Sequence, residues 1–149
     1  MQNIINGKFC DASNKATIKI VNPYTGRVID TVPNSTEKDA KRAVEYALKA
    51  QKTWKNVPVH EKTKILYKFL KLVDENKDDL AKTLCKETGK PITQAYGEIA
   101  NIRISFEAFC EKAKHLYGNV IPAGTEAGQE KTLQFTIREL LGVMLAIIP

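Results

Sequence analysis

The sequence predicts an α/β protein in which short strands come first and amphipathic helices follow. Three observations support this prediction. Residues 1–33 alternate apolar and polar positions between turn motifs, and residues 36–118 repeat apolar positions with helical spacing. Residues 140–149 are continuously apolar up to the final proline. A run of this kind is typical of a strand that is buried on both faces of a parallel sheet.

The first 33 residues are expected to form short strands joined by tight turns. Asn6-Gly7 is a hairpin-turn dipeptide between Ile4-Ile5 and Phe9. Residues 16–21 and 27–32 are predicted to form two further strands. The segment between them contains Pro23, which fixes φ, and Gly26, which can adopt a positive φ.

Four helices are predicted next. Thr36 and Asp39 resemble a capping box at the start of the first helix, which continues to Trp54. The second helix follows Pro58, and the third is capped by Asn76.

The boundary between the third and fourth helices is predicted at Gly89-Lys90-Pro91. We expect Gly89 to adopt a left-handed conformation that ends the third helix. Pro91 suits the first turn of the fourth helix, because that turn leaves its amide groups unpaired in any case. Gly118 is expected to end the fourth helix. A polar loop over 122–131 and a half-exposed strand over 133–138 then lead into the apolar run.

Composition excludes several classes of protein. With 43% hydrophobic and 27% charged residues, the chain of 149 residues is expected to fold around a core and not to be disordered. The formal net charge is +6, but the lysines alternate with acidic residues along the helices. This pattern favours a solvated surface over a nucleic-acid footprint, which needs clustered charge.

Neither a membrane protein nor a disulfide framework is expected. Three scattered cysteines are too few for a disulfide framework or a metal knuckle. No apolar run reaches the length of a membrane span, and no signal peptide is apparent. We therefore expect a cytoplasmic protein with neither a membrane nor a nucleic acid as partner.

Candidate catalytic groups are sparse. The sequence contains neither a Gly-x-Gly-x-x-Gly motif nor a P-loop. His60 and His115 lie in different predicted helices, and ordinary surface roles are favoured for both. Glu87 and Glu98 form a possible carboxylate pair, but a predicted helix break separates them. Cys85 has lysine neighbours that could activate a thiol, although its position on an apolar stripe favours a core role.

Short motifs along the whole chain match, in order, those of one known family. They are Asn3–Lys8, the Asn22-Pro23-Tyr24-Thr25-Gly26 turn, Asp39–Ala47 with Trp54, Glu87-Thr88-Gly89-Lys90-Pro91 with Glu98, Tyr117–Pro122, and Arg138–Val143. Because these motifs occur together and in this order, the chain resembles the N-terminal portion of the aldehyde dehydrogenase superfamily. The match is not complete, since Leu140 stands where the family usually has proline.

The resemblance implies a fold and a division of the chain. Residues 1–121 would be the N-terminal helical and β-hairpin part of a truncated Rossmann-type cofactor domain. Residues 122–140 would form an oligomerisation arm, and residues 141–149 the first strand of the Rossmann-type sheet. The protein would then be a homo-oligomer.

The resemblance also implies an activity, the oxidation of an aldehyde to a carboxylic acid with NAD or NADP. In this family a cysteine thiolate attacks the aldehyde, hydride passes to the nicotinamide, and a glutamate-activated water hydrolyses the thioester. The cysteine, the glutamate and the oxyanion-hole asparagine are expected beyond this sequence. No catalytic residue is therefore assigned here, and the chain alone is expected to be inactive.

Two binding sites are implied for residues of this chain. The family places the end of its first Rossmann strand beside the cofactor, which makes Ile147, Ile148 and Pro149 the cofactor-binding candidates. They could equally be plain core residues of that strand. Some members hold a structural cation, and its ligands would correspond to the backbone of Ile20 and Val21 and to Glu87. Glu87 could instead form a local cap.

Two other interpretations of the sequence remain. The chain could be a small, non-catalytic helical interaction module from a truncated reading frame, in which the apolar carboxyl-terminal strand is a binding edge. It could also be a basic nucleic-acid module, which the scattered lysines disfavour.

Overall fold

The computed structural model describes residues 1–148, which form three antiparallel strand pairs and four α-helices. The strands are β1 (Asn3–Ile5), β2 (Lys8–Cys10), β3 (Thr17–Val21), β4 (Val28–Pro33), β5 (Val120–Ile121) and β6 (Gln134–Phe135). The helices are α1 (Glu37–Trp54), α2 (Val59–Glu75), α3 (Lys77–Thr88) and α4 (Ile92–Ala113). The predicted order of short strands followed by four helices is confirmed.

Both amino-terminal hairpins have the turn chemistry that the sequence predicts. Between β1 and β2, Asn6 and Gly7 have φ values of 54° and 69°, the left-handed pair that a tight hairpin needs. Between β3 and β4, the Asn22 side chain accepts hydrogen bonds of 2.9 Å from the amides of Tyr24 and Thr25. Gly26 then completes the turn with φ 69°.

A buried carboxylate connects the strands to α1. The predicted capping box is present: the Thr36 hydroxyl accepts from the Asp39 amide, and Asp39 Oδ2 accepts from the Thr36 amide at 3.0 Å. The same oxygen accepts from the amide and the hydroxyl of Ser13, each at 3.0 Å. These bonds, led by the one from the Ser13 amide, hold the pKa of Asp39 well below its usual range against the opposing effect of burial.

The main core lies among α2, α3 and α4. Its buried hydrophobic residues are Leu70, Val73, Ala81, Ala95 and Cys110. Ala81 on α3 and Ala95 on α4 are completely covered, which is possible because their small side chains let the two helices approach closely. On the outer side, the rings of Phe69 and Phe106 pack with centroids 5.1 Å apart and join α2 to α4.

The predicted junction at Gly89 is confirmed. Gly89 has φ 71°, and its amide donates to the Cys85 carbonyl at 2.9 Å, which ends α3. A Cβ at this position would lie 3.0 Å from Pro23 Cγ, so the junction packs against the β3–β4 turn. Pro91 lies one position earlier than predicted, at the N-cap of α4, where its carbonyl accepts from the Ala95 amide at 3.1 Å.

Two predicted boundaries around the carboxyl-terminal hairpin are wrong. The fourth helix ends at Ala113 and not at Gly118, because the chain is already extended toward β5 there. The Asn119 amide donates to the Thr136 hydroxyl at 2.8 Å, and the Thr136 amide donates to the Asn119 carbonyl at 2.9 Å. β6 covers only two residues, against six predicted, since its partner β5 is equally short.

The apolar run differs most from its prediction. Residues 141–148 have no regular secondary structure, and Leu141 is 92% exposed. A parallel strand needs a hydrogen-bonded neighbour, and the strand pairs among residues 1–148 offer it none. The described residues therefore do not form the predicted buried strand, and Pro149 lies outside them.

Replacing Gly89 with valine should lower the free energy of unfolding by about 1 kcal/mol or more, because a β-branched residue at positive φ is strained. The new side chain would also press on Pro23. Urea unfolding followed by helical circular dichroism measures the change. Gly97→Ala in α4, where a Cβ meets open space, is the control and should stabilise by about 0.5–1 kcal/mol. Unfolding of Gly89→Val at the parent's midpoint would contradict this account of the junction.

Replacing Asp39 with asparagine should destabilise the protein in a pH-dependent way. The pKa of Asp39 is lowered in the folded state, so its contribution is complete above the unfolded-state pKa of about 4 and is lost as pH falls below it. The difference in unfolding free energy between parent and Asp39→Asn should therefore narrow from about pH 6 to pH 3.

Urea titrations across this pH range measure that difference. Glu37→Gln, on the same first turn but exposed, is the matched control and should show a much smaller difference at every pH. A difference for Asp39→Asn that stays constant with pH would refute the role given to the carboxylate.

Candidate cation and cofactor sites

The candidate cation residues lie on two elements that meet at the Gly89 junction. Ile20 and Val21 end β3, where the pairing with β4 is irregular between these two residues. Glu87 lies on the last turn of α3, exposed to solvent. Gly89 packs against Pro23, so both groups lie near one junction: Glu87 is two residues before Gly89, and Val21 and Ile20 are two and three residues before Pro23.

The chemistry of a cation at this place would depend mainly on backbone carbonyls. Among residues 1–148 there is no cluster of three or more His, Cys, Asp or Glu side chains that could hold a metal ion. Glu87 would then supply the one charged ligand beside the carbonyls of Ile20 and Val21. The cation site stays a prediction.

Among the cofactor-binding candidates, Ile147 and Ile148 do not line a pocket in this structure. Ile147 and Ile148 are 87% and 84% exposed and lie in the segment without regular structure. A dinucleotide site of the Rossmann type needs a strand end inside a sheet, and the described residues do not give these two that setting. Their cofactor role stays a prediction, and Pro149 lies outside the described residues.

A cavity that the sequence did not reveal lies among α2, α3 and α4. It has a volume of about 780 Å³, and its floor is apolar, with Phe69, Leu72, Leu80, Leu84 and Ile99 among its residues. Its acidic lining residues are Asp79, Glu87 and Glu98. We call this feature the acidic groove.

The acidic groove brings Glu87 and Glu98 to one surface, although a helix break separates them in sequence. The Lys90 side chain pairs with Glu98, and the Cys85 thiol donates to the Lys90 carbonyl at 3.0 Å. This contact gives Cys85 a structural role at the junction. Sequence patterns assigned the apolar stripes to the core, and only the acids at the stripe edges could have indicated an open groove.

The two histidines do not share a site. His60 at the start of α2 lies 3.4 Å from the carboxylate of Glu61, and His115 packs edge-on against Tyr117 beyond α4. No helix among residues 1–148 combines the length and the hydrophobicity required to cross a membrane.

Comparison with known proteins gives one consistent result. The sequence profile of the aldehyde dehydrogenase family matches residues 9–149. A glutarate-semialdehyde dehydrogenase of Pseudomonas putida is 40% identical over 99% of this chain and 30% of its own length. The NADP(+)-dependent succinate-semialdehyde dehydrogenase of Escherichia coli is 35% identical over the same shares. The chain thus spans about 30% of the length of these curated relatives.

Solved structures agree with the sequence comparison. An NADP-dependent enzyme of Escherichia coli superposes with a TM-score of 0.79 at 35% identity, over 85% of this chain and 26% of its own. Betaine aldehyde dehydrogenase of Staphylococcus aureus, crystallised with NAD+, superposes with a TM-score of 0.77 at 28% identity, over 83% of this chain and 25% of its own. Most of this chain therefore shares the fold of these solved enzymes, and the chain belongs to the aldehyde dehydrogenase family.

Proposed function

We propose that this chain is the N-terminal part of an NAD(P)-dependent aldehyde dehydrogenase, which oxidises an aldehyde to a carboxylic acid. The supporting observation is the match of the family profile to residues 9–149, combined with a span of about 30% of the relatives' length. The catalytic cysteine and glutamate lie, in this proposal, in the part that the chain does not contain. The protein acts in the cytoplasm as a homo-oligomer.

Within that enzyme, the residues of this chain form a scaffold. Residues 1–121 provide the strands and helices described above, and residues 122–140 form the oligomerisation arm. Residues 141–149 form a β-strand only when later strands of the enzyme pair with them. The apolar side chains of residues 141–148 support this assignment, because they are exposed here and would be covered in a sheet. NAD or NADP, when bound, would supply the hydride acceptor, and Ile147, Ile148 and Pro149 would line its site.

The substrate class that we propose is an aldehyde with an acid group at its other end. Relatives named for glutarate, succinate and malonate semialdehydes support this, since each of these aldehydes carries a carboxylate. A relative named for 3-sulfolactaldehyde extends the pattern to a sulfonate.

A non-catalytic interaction module is the second candidate function. The observation that favours it is the apolar surface left uncovered on the carboxyl-terminal segment, with Leu141, Leu145 and Ile147 each at least 85% exposed. Such a surface is suited to binding a partner. It is equally the surface that an aldehyde dehydrogenase would cover with its own later strands.

The purified 149-residue chain should not produce NADH or NADPH from glutarate or succinate semialdehyde. Absorbance of the reduced nicotinamide measures this directly. A chimera that joins this chain to the remaining two-thirds of the Pseudomonas putida relative should produce NADH or NADPH. Turnover by the chain alone, abolished by replacing its three cysteines with serine, would overturn the proposal.

The chain alone should self-associate through its uncovered apolar run. At micromolar concentration, we expect light scattering to detect assemblies larger than a monomer and a hydrophobic dye to bind, because the exposed apolar side chains of residues 141–148 attract one another. Leu141→Lys with Leu145→Lys should reduce both signals. Tyr24→Lys, which removes an equally exposed but isolated apolar side chain, is the control. A parent chain that is monomeric and does not bind the dye would contradict this expectation.

A further inference from the structure

We propose that Asn6 is a site of spontaneous chemical modification, at which its side chain loses ammonia and the residue becomes isoaspartate. The observations that support this proposal lie in the turn between β1 and β2, outside the candidate cation and cofactor sites. The proposal does not depend on the proposed function, and water is the only co-reactant that it requires.

The nucleophile of this reaction is the backbone nitrogen of Gly7. The two-residue turn pairs Ile5 with Lys8, and no backbone hydrogen bond within residues 1–148 engages the Gly7 amide. Glycine also lacks the Cβ that would obstruct the approach of its nitrogen to a neighbouring carbonyl carbon. A Cβ built on Gly7 meets no atom within 4 Å, so the space around this backbone is open.

The group that the nitrogen attacks is the side-chain amide of Asn6. Asn6 is exposed, and in the described part of the chain its side chain is free of hydrogen bonds, whereas Asn3 donates to Ser35 at 2.8 Å. Asn22 accepts from turn amides and is followed by a proline, whose nitrogen has no proton to lose. Of the asparagines in the sequence, Asn6 alone precedes a glycine. Asn6 therefore combines a free side chain with an unhindered neighbouring amide.

Atoms balance with water consumed and ammonia released. The Gly7 nitrogen gives its proton to a base in the solvent and bonds to Asn6 Cγ, and the bond from Cγ to Nδ2 breaks. Nδ2 takes up a proton and leaves as ammonia, so a five-membered imide remains. Water then opens the imide. Its addition at the side-chain carbonyl gives aspartate, whereas its addition at the main-chain carbonyl gives isoaspartate, in which the chain runs through Cγ.

The turn can open to let the two groups meet. β1 and β2 have three residues each, and so short a hairpin is only marginally stable by itself. Asn6 has φ 54°, a conformation that costs energy in any residue other than glycine. The hairpin is also incompletely packed on α1, since a cavity of about 330 Å³ lies between them. Little therefore opposes a transient opening of this turn.

Isoaspartate at this position would separate β1 from β2. It adds one carbon to the main chain within the turn, and the length of a turn sets the register of its hairpin. The pairing of Ile5 with Lys8 could then not be kept. Cys10 ends β2, where it is half-buried and its Sγ lies 3.6 Å from the Arg42 guanidinium. Modification of Asn6 should therefore expose the Cys10 thiol.

Ageing the purified chain in mildly alkaline buffer without denaturant tests the site. Peptide mass spectrometry locates each change from amide to carboxyl, and a protein isoaspartyl methyltransferase with a radioactive methyl donor measures isoaspartate. We expect the methyl label at Asn6 to exceed the label at every other asparagine. Asn6→Gly, which suits a turn with positive φ at both positions, should lose this label. Asn34→Gln, which removes another exposed asparagine, is the matched control and should keep it.

Circular dichroism confirms that both variants keep their helices. Isoaspartate that forms at Asn6 only in urea would show that the closed turn protects it, and this result would overturn the proposal. Equal labelling of several asparagines, or label that persists in Asn6→Gly, would overturn it as well.

A second measurement tests the opening of the hairpin. Ion exchange separates the modified chain, because the new carboxylate adds a negative charge. A thiol reagent followed by peptide mass spectrometry should then show faster reaction of Cys10 in the modified chain than in the unmodified one. Cys110, which is buried among the helices, is the internal control and should react equally slowly in both. An unchanged rate at Cys10 would refute the separation of β1 from β2.

Discussion

The reversal of the chain at Gly89 determines most of the geometry around the candidate sites. A left-handed residue at this point ends α3, presents the Lys90 carbonyl to the Cys85 thiol, and brings the Lys90 side chain to Glu98. The same reversal sets the junction against Pro23, so the strands and the helices meet there. If α3 continued through this point, Glu87 and Glu98 would lie on one long helix and the acidic groove would not exist. A single backbone conformation therefore links the fold to its surface chemistry.

The described part of this chain has a small hydrophobic core, and hydrogen bonds between neighbouring parts of the chain supplement it. The fully buried hydrophobic residues among 1–148 are few, and three of them are alanines. Asp39 compensates in part, since one carboxylate accepts from the amides of Ser13 and Thr36 and so joins the loop after β2 to the start of α1. Arg103 on α4 pairs with Asp74 on α2 and with Glu107 one turn further along α4, but these side chains are largely exposed, so the pairs orient the two helices more than they stabilise them. Such clamps hold elements in place where burial is incomplete.

Features that depend on neighbouring residues could be predicted from the sequence, and features that depend on distant partners could not. Asn6-Gly7, the capping box of Thr36 and Asp39, and the Gly89 junction each follow from the conformational preferences of a few adjacent residues. Residues 141–148 do not form the predicted strand within this chain, because a strand's backbone groups need a neighbouring strand, and the assignment of 141–149 to a Rossmann-type sheet stays a prediction. The groove was missed because apolar periodicity shows which helix face is buried without showing how completely other helices cover it. Glu87 was singled out from its motif, yet its position at the groove became visible only in three dimensions.

The β5–β6 hairpin is held by few backbone hydrogen bonds. β5 and β6 pair over two residues, and the bonds between Thr136 and Asn119 add little to that. A segment held in this way behaves as its own cooperative unit, whose opening costs only a fraction of the global unfolding free energy. Its amides would exchange with solvent hydrogen while those of α2 to α4 remain protected. Opening of this hairpin requires no unfolding of α2 to α4, so a protease or a solvent proton can reach its backbone while the helices stay intact.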